Sequence, residues 1–247
     1  LHKLTGHSKN IMSVAFSLDG KLALTLSVDK TIRIYDVHLG IVIQVLNNYD
    51  DRLNSAVFSP DSKLVLAAGD SGVLIWDALS GKLLKKIEEH LSRVNSAVFS
   101  PDGKYIASTS YDKTTRIYDV STGRSLKIIN GEKTFMDNPE FSHDGKFIMI
   151  VDRDFGNGDS SIVRIYETSS WKQVFKSQTS LSMSIPMFTP FENMVITIDD
   201  AYNKTFHEIP SGKKITVVEV FGSLLFIPDQ KYMLSYSGYD SKIRFYD

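Results

Sequence analysis

The 247-residue chain has no cysteine, which removes disulfides, thiolate metal ligands and cysteine nucleophiles together without choosing a compartment. It also lacks a charge bias. Lys and Arg total 28 against 29 Asp and Glu, a net charge of -1, so nothing draws the whole molecule to nucleic acid or to an anionic membrane. No apolar run approaches the ~20 residues of a membrane helix, and the opening LHKLTGH holds no signal-peptide hydrophobic region. The expectation is a chain without membrane insertion, inside the cell and in the cytoplasm. His2, His7, His38, His90, His143 and His207 show no H-x-x-x-H spacing, and no glycine-rich phosphate loop leads from a strand into a helix. Neither a metal nor a cofactor is expected.

Helical periodicity is missing too, while apolar and polar residues alternate over short runs rich in Val, Ile, Tyr, Phe and Thr, as in Thr31-Ile32-Arg33-Ile34-Tyr35. With 42% hydrophobic and 23% charged residues there is enough apolar material for a large core. An all-β chain of this length is expected to form one domain, 1–247.

One segment recurs along the chain. It reads VAFSLDGK at 14–21, AVFSPDSK at 56–63, AVFSPDGK at 97–104 and PEFSHDGK at 139–146, with weaker copies MFTPFEN at 187–193 and LLFIPDQK at 224–231. The aligned phenylalanines, Phe16, Phe58, Phe99, Phe141, Phe188 and Phe226, are spaced by 42, 41, 42, 47 and 38 residues. A second marker closes each unit: TIRIYD, VLIWD, TTRIYD, IVRIYE, TFHE and KIRFYD end near Asp36, Asp77, Asp119, Glu167, Glu208 and Asp247. Asp-Gly pairs at 19–20, 102–103 and 144–145 and the glycines Gly40, Gly81, Gly123 and Gly212 supply turn chemistry between the runs. Each unit therefore reads as four short antiparallel strands, and units that cannot cover both faces alone are expected to stack radially as a β-propeller of six four-stranded blades.

The period, the pair Gly6-His7 and the pair Trp76-Asp77 resemble the WD-repeat family along the whole chain. That resemblance implies a relay of His, Ser or Thr, Asp and Trp within a blade. By position it falls on His7, Ser27, Asp29 and Tyr35 in the first unit and on His90, Ser110, Asp112 and Tyr118 in the third, with 22 residues between His and Asp in both. The second unit keeps Asp70 and Trp76 but has Tyr49 and Ala68 at the other two places, so its relay is expected to be broken. Although a His between a carboxylate and a hydroxyl is the constellation of a hydrolase triad, its repetition at buried strand and turn positions assigns it to structure, and no catalytic residue is expected. The resemblance also implies closure of the ring by an exchanged terminal strand, which places Leu1–Leu4 as the strand completing the last blade.

Function is then expected in loops at the mouth of the central channel. The resemblance implies that the interaction face carries the loop entering the first strand and the loop holding the relay Asp, which by position nominates Met12, Arg52, Asn54, Arg93, Asn95, Tyr111, Phe135, Asp137 and Tyr239. Arg and large aromatics dominate interface hot spots, which favours Arg52, Arg93, Tyr111, Phe135 and Tyr239. In the fourth unit DRDFGNGDSS, 152–161, is expected to expand the loop between its second and third strands. Its Asp152, Asp154 and Asp159 do not make a calcium loop, because Gly156 stands at the third ligand position and no Glu at the twelfth.

The expected function is a non-enzymatic platform for other proteins or peptides, monomeric itself and a module of a larger protein or assembly. The alternatives are the propeller domain of an enzyme, gating substrate or holding a hydrolytic metal, and a binder of RNA or phosphorylated ligands through Arg52 and Arg93.

Overall fold

The computed structural model describes residues 3–47, 52–70, 72–133, 135–137, 139–154, 160–179, 186–189, 194–198, 203–218, 223–227, 232–237 and 242–246. Among them every regular element is a β-strand, and no helix is long and apolar enough to cross a membrane. The chain divides into two compact units, Leu1–Glu140 and Phe141–Asp247.

In the first unit, β1 (Ile11–Phe16), β2 (Leu22–Ser27), β3 (Ile32–Asp36) and β4 (Ile41–Leu46) form one antiparallel sheet in chain order. A second contains β5 (Leu53–Phe58), β6 (Leu64–Gly69), β7 (Gly72–Asp77) and β8 (Leu83–Ile87), and a third β9 (Val94–Phe99), β10 (Tyr105–Ser110), β11 (Thr114–Asp119) and β12 (Ser125–Asn130). The short β13 (Phe135–Met136) follows, and β14 (Glu140–Phe141) spans the boundary between the units.

The recurring Phe-Ser-x-Asp-Gly-Lys segment is a hairpin plug. Ser17 Oγ donates to Asp19 Oδ1 at 2.7 Å and accepts the amide of Leu22 at 2.8 Å, while Asp19 Oδ1 accepts the amide of Lys21 at 3.1 Å. The same bonds recur at Ser59 and Asp61, Ser100 and Asp102, and Ser142 and Asp144. One position in each plug takes φ near +70°, held by Gly20, Gly103 and Gly145 and by Ser62 in the second copy. The lysines of these plugs pair with their aspartates in solvent and contribute little.

The sheets stack face on face. Leu24, Leu26, Ile32 and Ile34 of the first sheet close on Leu53, Ala56, Phe58 and the fully buried Trp76 of the second. Leu66, Val73, Ile75 and Ile87 on the opposite face of the second sheet close on Val94, Ala97, Ile106 and Tyr118 of the third. Alternation along each strand sends these two sets to opposite faces, and each large side chain so buried contributes about 2 kcal/mol. Polar clamps repeat with the sheets. Asn54 Nδ2 donates to the Val94 carbonyl at 2.7 Å and Asn95 Nδ2 to the Met136 carbonyl at 3.5 Å. On the outer strands Gln44 Nε2 donates to the Leu79 carbonyl at 3.0 Å, and Lys85 Nζ donates to that of Ser121 at the equivalent turn.

In the second unit, β15 (Phe147–Asp154), β16 (Ser160–Glu167) and β17 (Gln173–Thr179) pair in series, as do β18 (Met187–Phe188), β19 (Met194–Ile198), β20 (Lys204–Glu208) and β21 (Lys214–Val218). Phe147, Met149, Val163, Ile165 and Phe175 share a core with Val195 and Ile209. A further sheet contains β22 (Ser223–Ile227), β23 (Tyr232–Ser237) and β24 (Lys242–Tyr246).

The segment 152–161 corrects the expectation of an expanded loop. Asp152, Arg153 and Asp154 finish β15, Ser160 and Ser161 open β16, and the two strands pair from Phe147↔Glu167 out to Asp154↔Ser160. The extra residues lengthen the hairpin strands to eight residues each, and 155–159 lie outside the described residues. Of the segment expected to complete the last sheet, Leu1 and His2 lie outside the described residues, and Lys3 and Leu4 are in no described strand.

Candidate functional site

Two His–Asp relays are built alike in the first and third sheets. His7 Nδ1 meets Asp29 Oδ2 at 2.8 Å and its Nε2 meets Thr25 Oγ1 at 2.6 Å; His90 Nδ1 meets Asp112 Oδ2 at 2.8 Å and its Nε2 meets Ser108 Oγ at 2.7 Å. A carboxylate only accepts, so Nδ1 carries the proton and Nε2 accepts from the hydroxyl. The hydroxyls expected in the relays were those of Ser27 and Ser110, and the structure replaces them. Ser27 Oγ donates to the Lys9 carbonyl and accepts the amide of Asp29, and Ser110 Oγ donates to the Ser92 and Arg93 carbonyls and accepts the amide of Asp112. Thr25 and Ser27 share one face of β2, as Ser108 and Ser110 share one face of β10, and only the strand register tells which meets the imidazole.

Each aspartate is fully engaged. Asp112 accepts from His90 and the Leu91 amide on one oxygen and from the Thr114 amide and hydroxyl on the other, and Asp29 does the same with His7, Ser8 and Thr31. Burial works against the Asp112 carboxylate, but the Thr114 hydroxyl, the Leu91 amide and His90 outweigh it and hold it at about 2. Asp29 is lowered further against the same opposition from burial. Burial also lowers His90, with Asp112 opposing, and raises the Tyr118 phenol to about 12. Tyr35 Oη reaches the Thr5 carbonyl at 3.5 Å. The geometry is that of a triad, yet Ser108 is 0% and Thr25 4% exposed, so no substrate reaches either hydroxyl. These groups satisfy one another in the interior.

The fourth repeat solves the same problem with charge. Arg164 Nη2 donates to Asp152 Oδ2 at 2.7 Å, Arg164 Nη1 donates to Tyr166 Oη at 3.0 Å, and Tyr166 Oη donates to Gln173 Oε1 at 3.2 Å. Asp152 and Arg164 are both buried. Sequence reasoning treated Asp152 as part of a loop and missed the pair, whose signal is an acid and a base two steps apart once the hairpin register is known. Among the described residues no group of three His, Asp or Glu side chains is placed to hold a metal ion.

Of the nominated mouth residues, Asn54 and Tyr111 meet Arg93. Its Nη2 donates to Asn54 Oδ1, its Nε stands 3.6 Å from Asp70 Oδ1, and its guanidinium carbon lies 5.9 Å from the centre of the Tyr111 ring. The Asp70 amide donates to the Arg52 carbonyl at 3.1 Å, and the Tyr111 amide to the Arg93 carbonyl at 3.0 Å, so both arginines enter their sheets at equivalent places. Arg52, Met12 and Tyr111 are exposed, the last two by 40% and 47%. Asn54 and Asn95 instead use their amides as the clamps between sheets. Asp137 is half-buried after β13. The side chain of Phe135 and all of Tyr239 lie outside the described residues. Asp70 was read only as the remnant of a broken relay. Of the two positions assigned to that relay beside it, Tyr49 lies outside the described residues and Ala68 is buried. By register the place of Thr25 is taken by Ala67, which offers no hydroxyl, and the Asp70 carboxylate turns to the arginine of the next repeat.

Repeated four-stranded sheets with an internal His–Asp relay define a class, and comparison with known proteins names it. Residues 1–36, 40–77 and 81–119 match the family model "WD domain, G-beta repeat". The first half of the chain thus carries three WD repeats. Over 49 residues, 20% of this chain, the sequence is 39% identical to "WD repeat, SAM and U-box domain-containing protein 1" of Danio rerio, and the match covers 10% of that protein's length. WD repeats generally mediate protein–protein interaction, and the matched family is not a catalytic one.

Proposed function

We propose that the chain is a non-enzymatic platform for protein partners, built as a single six-bladed propeller over 1–247 and engaging them at the mouth face carrying Arg52, Arg93 and Tyr111. The observation that carries this reading is the Arg93 cluster. A guanidinium is pinned by Asn54 and faced by an exposed aromatic ring, on strands that are themselves clamped to their neighbours. Rigid presentation of an arginine and a tyrosine is what a binding hot spot requires. Replacing Arg52, Arg93 and Tyr111 together by alanine is expected to weaken partner capture by the intact parent protein at least about tenfold, while the thermal melt stays cooperative. Quantitative affinity purification checks this, and undiminished capture removes the face.

Ring closure by Leu1–Leu4 is the second half of the proposal. What supports it is an uncovered sheet face. Ile11, Val14 and Phe16 of β1 are 51%, 56% and 63% exposed, whereas their counterparts Leu53, Ala56 and Phe58 in β5 are 3%, 2% and 9% exposed beneath the preceding repeat. Deleting residues 1–4 is expected to lower the melting temperature by about 5 °C or more and to speed amide exchange in 232–237 and 242–246. Unchanged exchange in those strands sinks the closure.

A further inference from the structure

We propose that Arg93, Tyr111 and Arg52 receive the side-chain carboxylates of an acidic peptide segment, and that Asp70, beside Arg93 Nε, weakens that attraction in the free chain. The inference rests on the reading of this face as a partner surface and names the chemistry it selects. The Arg93 guanidinium is oriented before any ligand arrives, because Asn54 Oδ1 takes one Nη2 proton and the Tyr111 ring stands against the plane. Its Nε is sealed from solvent and makes no hydrogen bond. A ligand therefore meets the Nη edge, where two parallel N–H groups match the two oxygens of a carboxylate.

Asp70 shows what charge the site draws. Its carboxylate lies 3.6 Å from Arg93 Nε, too far for a hydrogen bond, with the two side chains 48% and 37% exposed. Such a pair is weak in solvent and does not occupy the Nη edge. Asp70 is available because its own repeat lacks the relay hydroxyl, with Ala67 in the place of Thr25 and Ser108. Arg52, whose carbonyl accepts the Asp70 amide, is exposed, so this face carries two arginines against one acid. That single surplus charge matches carboxylates spaced along a chain better than a dianionic phosphate.

The test titrates the intact chain with a capped hexaglutamate peptide, using capped hexaglutamine as the blank. Saturable hexaglutamate binding is expected, weakened at least about tenfold by Arg93→Gln. Asp70→Asn is expected to strengthen it about threefold, and Asp61→Asn, an equal charge change in a hairpin plug, to leave it unchanged. Equal binding by Arg93→Gln, equal effects of Asp70→Asn and Asp61→Asn, or a phosphoserine-alanine peptide binding tenfold more tightly than hexaglutamate each overturns the proposal. If partner capture needs Arg52, Arg93 and Tyr111 while hexaglutamate neither binds nor competes, the acidic ligand is wrong and the partner face stands.

Discussion

Replacing Asp152 by alanine is expected to cost the Phe141–Asp247 unit about 4 kcal/mol of stability. Asp152 is 0% and Arg164 4% exposed, and the 2.7 Å contact between them runs between the positions facing Ile162 and Ile150 in the pairing of β15 with β16. The size of the loss comes less from the attraction removed than from the guanidinium left behind, a buried charge whose carboxylate is gone. The double variant Asp152→Ala, Arg164→Met removes both charges and is expected to regain most of the loss. Urea unfolding of the four species of that cycle should give a coupling of at least about 3 kcal/mol. A double variant no more stable than Asp152→Ala alone refutes this account of the pair.

Asp112→Ala is expected to destabilise the Leu1–Glu140 unit by about 3 kcal/mol, because four donors lose their acceptor at once and the His90 Nδ1 proton is 1% exposed at the side-chain level. Lys104→Ala, which removes an exposed partner of a turn carboxylate, should stay within about 0.5 kcal/mol. The relay also sets how stability depends on pH. His90 titrates lower folded than its usual 6.5, so the unfolded chain binds the proton first and stability declines as pH falls below about 6.5. Asp112, held at about 2 against an ordinary 3.8, contributes stability that is complete above its unfolded value and is lost as pH falls towards 2. Thermal melts of the parent are expected to drop through both windows. Asp112→Ala should fall less steeply in the lower one, and parallel curves there would exclude Asp112 as a source of the acid sensitivity.

Much of this was legible in the sequence because the turns carry their own chemistry. A serine, an aspartate and a glycine at fixed offsets close a hairpin whatever surrounds it, so Ser17, Ser59, Ser100 and Ser142 mark the same turn wherever they occur. The His–Asp halves of the relays were legible through the WD-repeat resemblance, which places both residues by position with 22 residues between them. The hydroxyl was not, because Thr25 and Ser27 lie on one strand face about 7 Å apart, and nothing local says which depth His7 reaches. Asn54 and Asn95 were read as contacts for a partner, and the bonds their amides make to the neighbouring strand were not foreseen.

The sequence by itself determined the β class, the phase of the repeats and the hairpin turns, all of which depend on interactions within about ten residues or on strict periodicity. Only the tertiary structure decided that Thr25 and Ser108 complete the relays, that Asp152 is a buried partner of Arg164 rather than a loop residue, and that Asp70 faces Arg93 across two repeats. Those contacts join strands through their register and sheets through their stacking, and a shift of one residue in either sends every side chain to the opposite face.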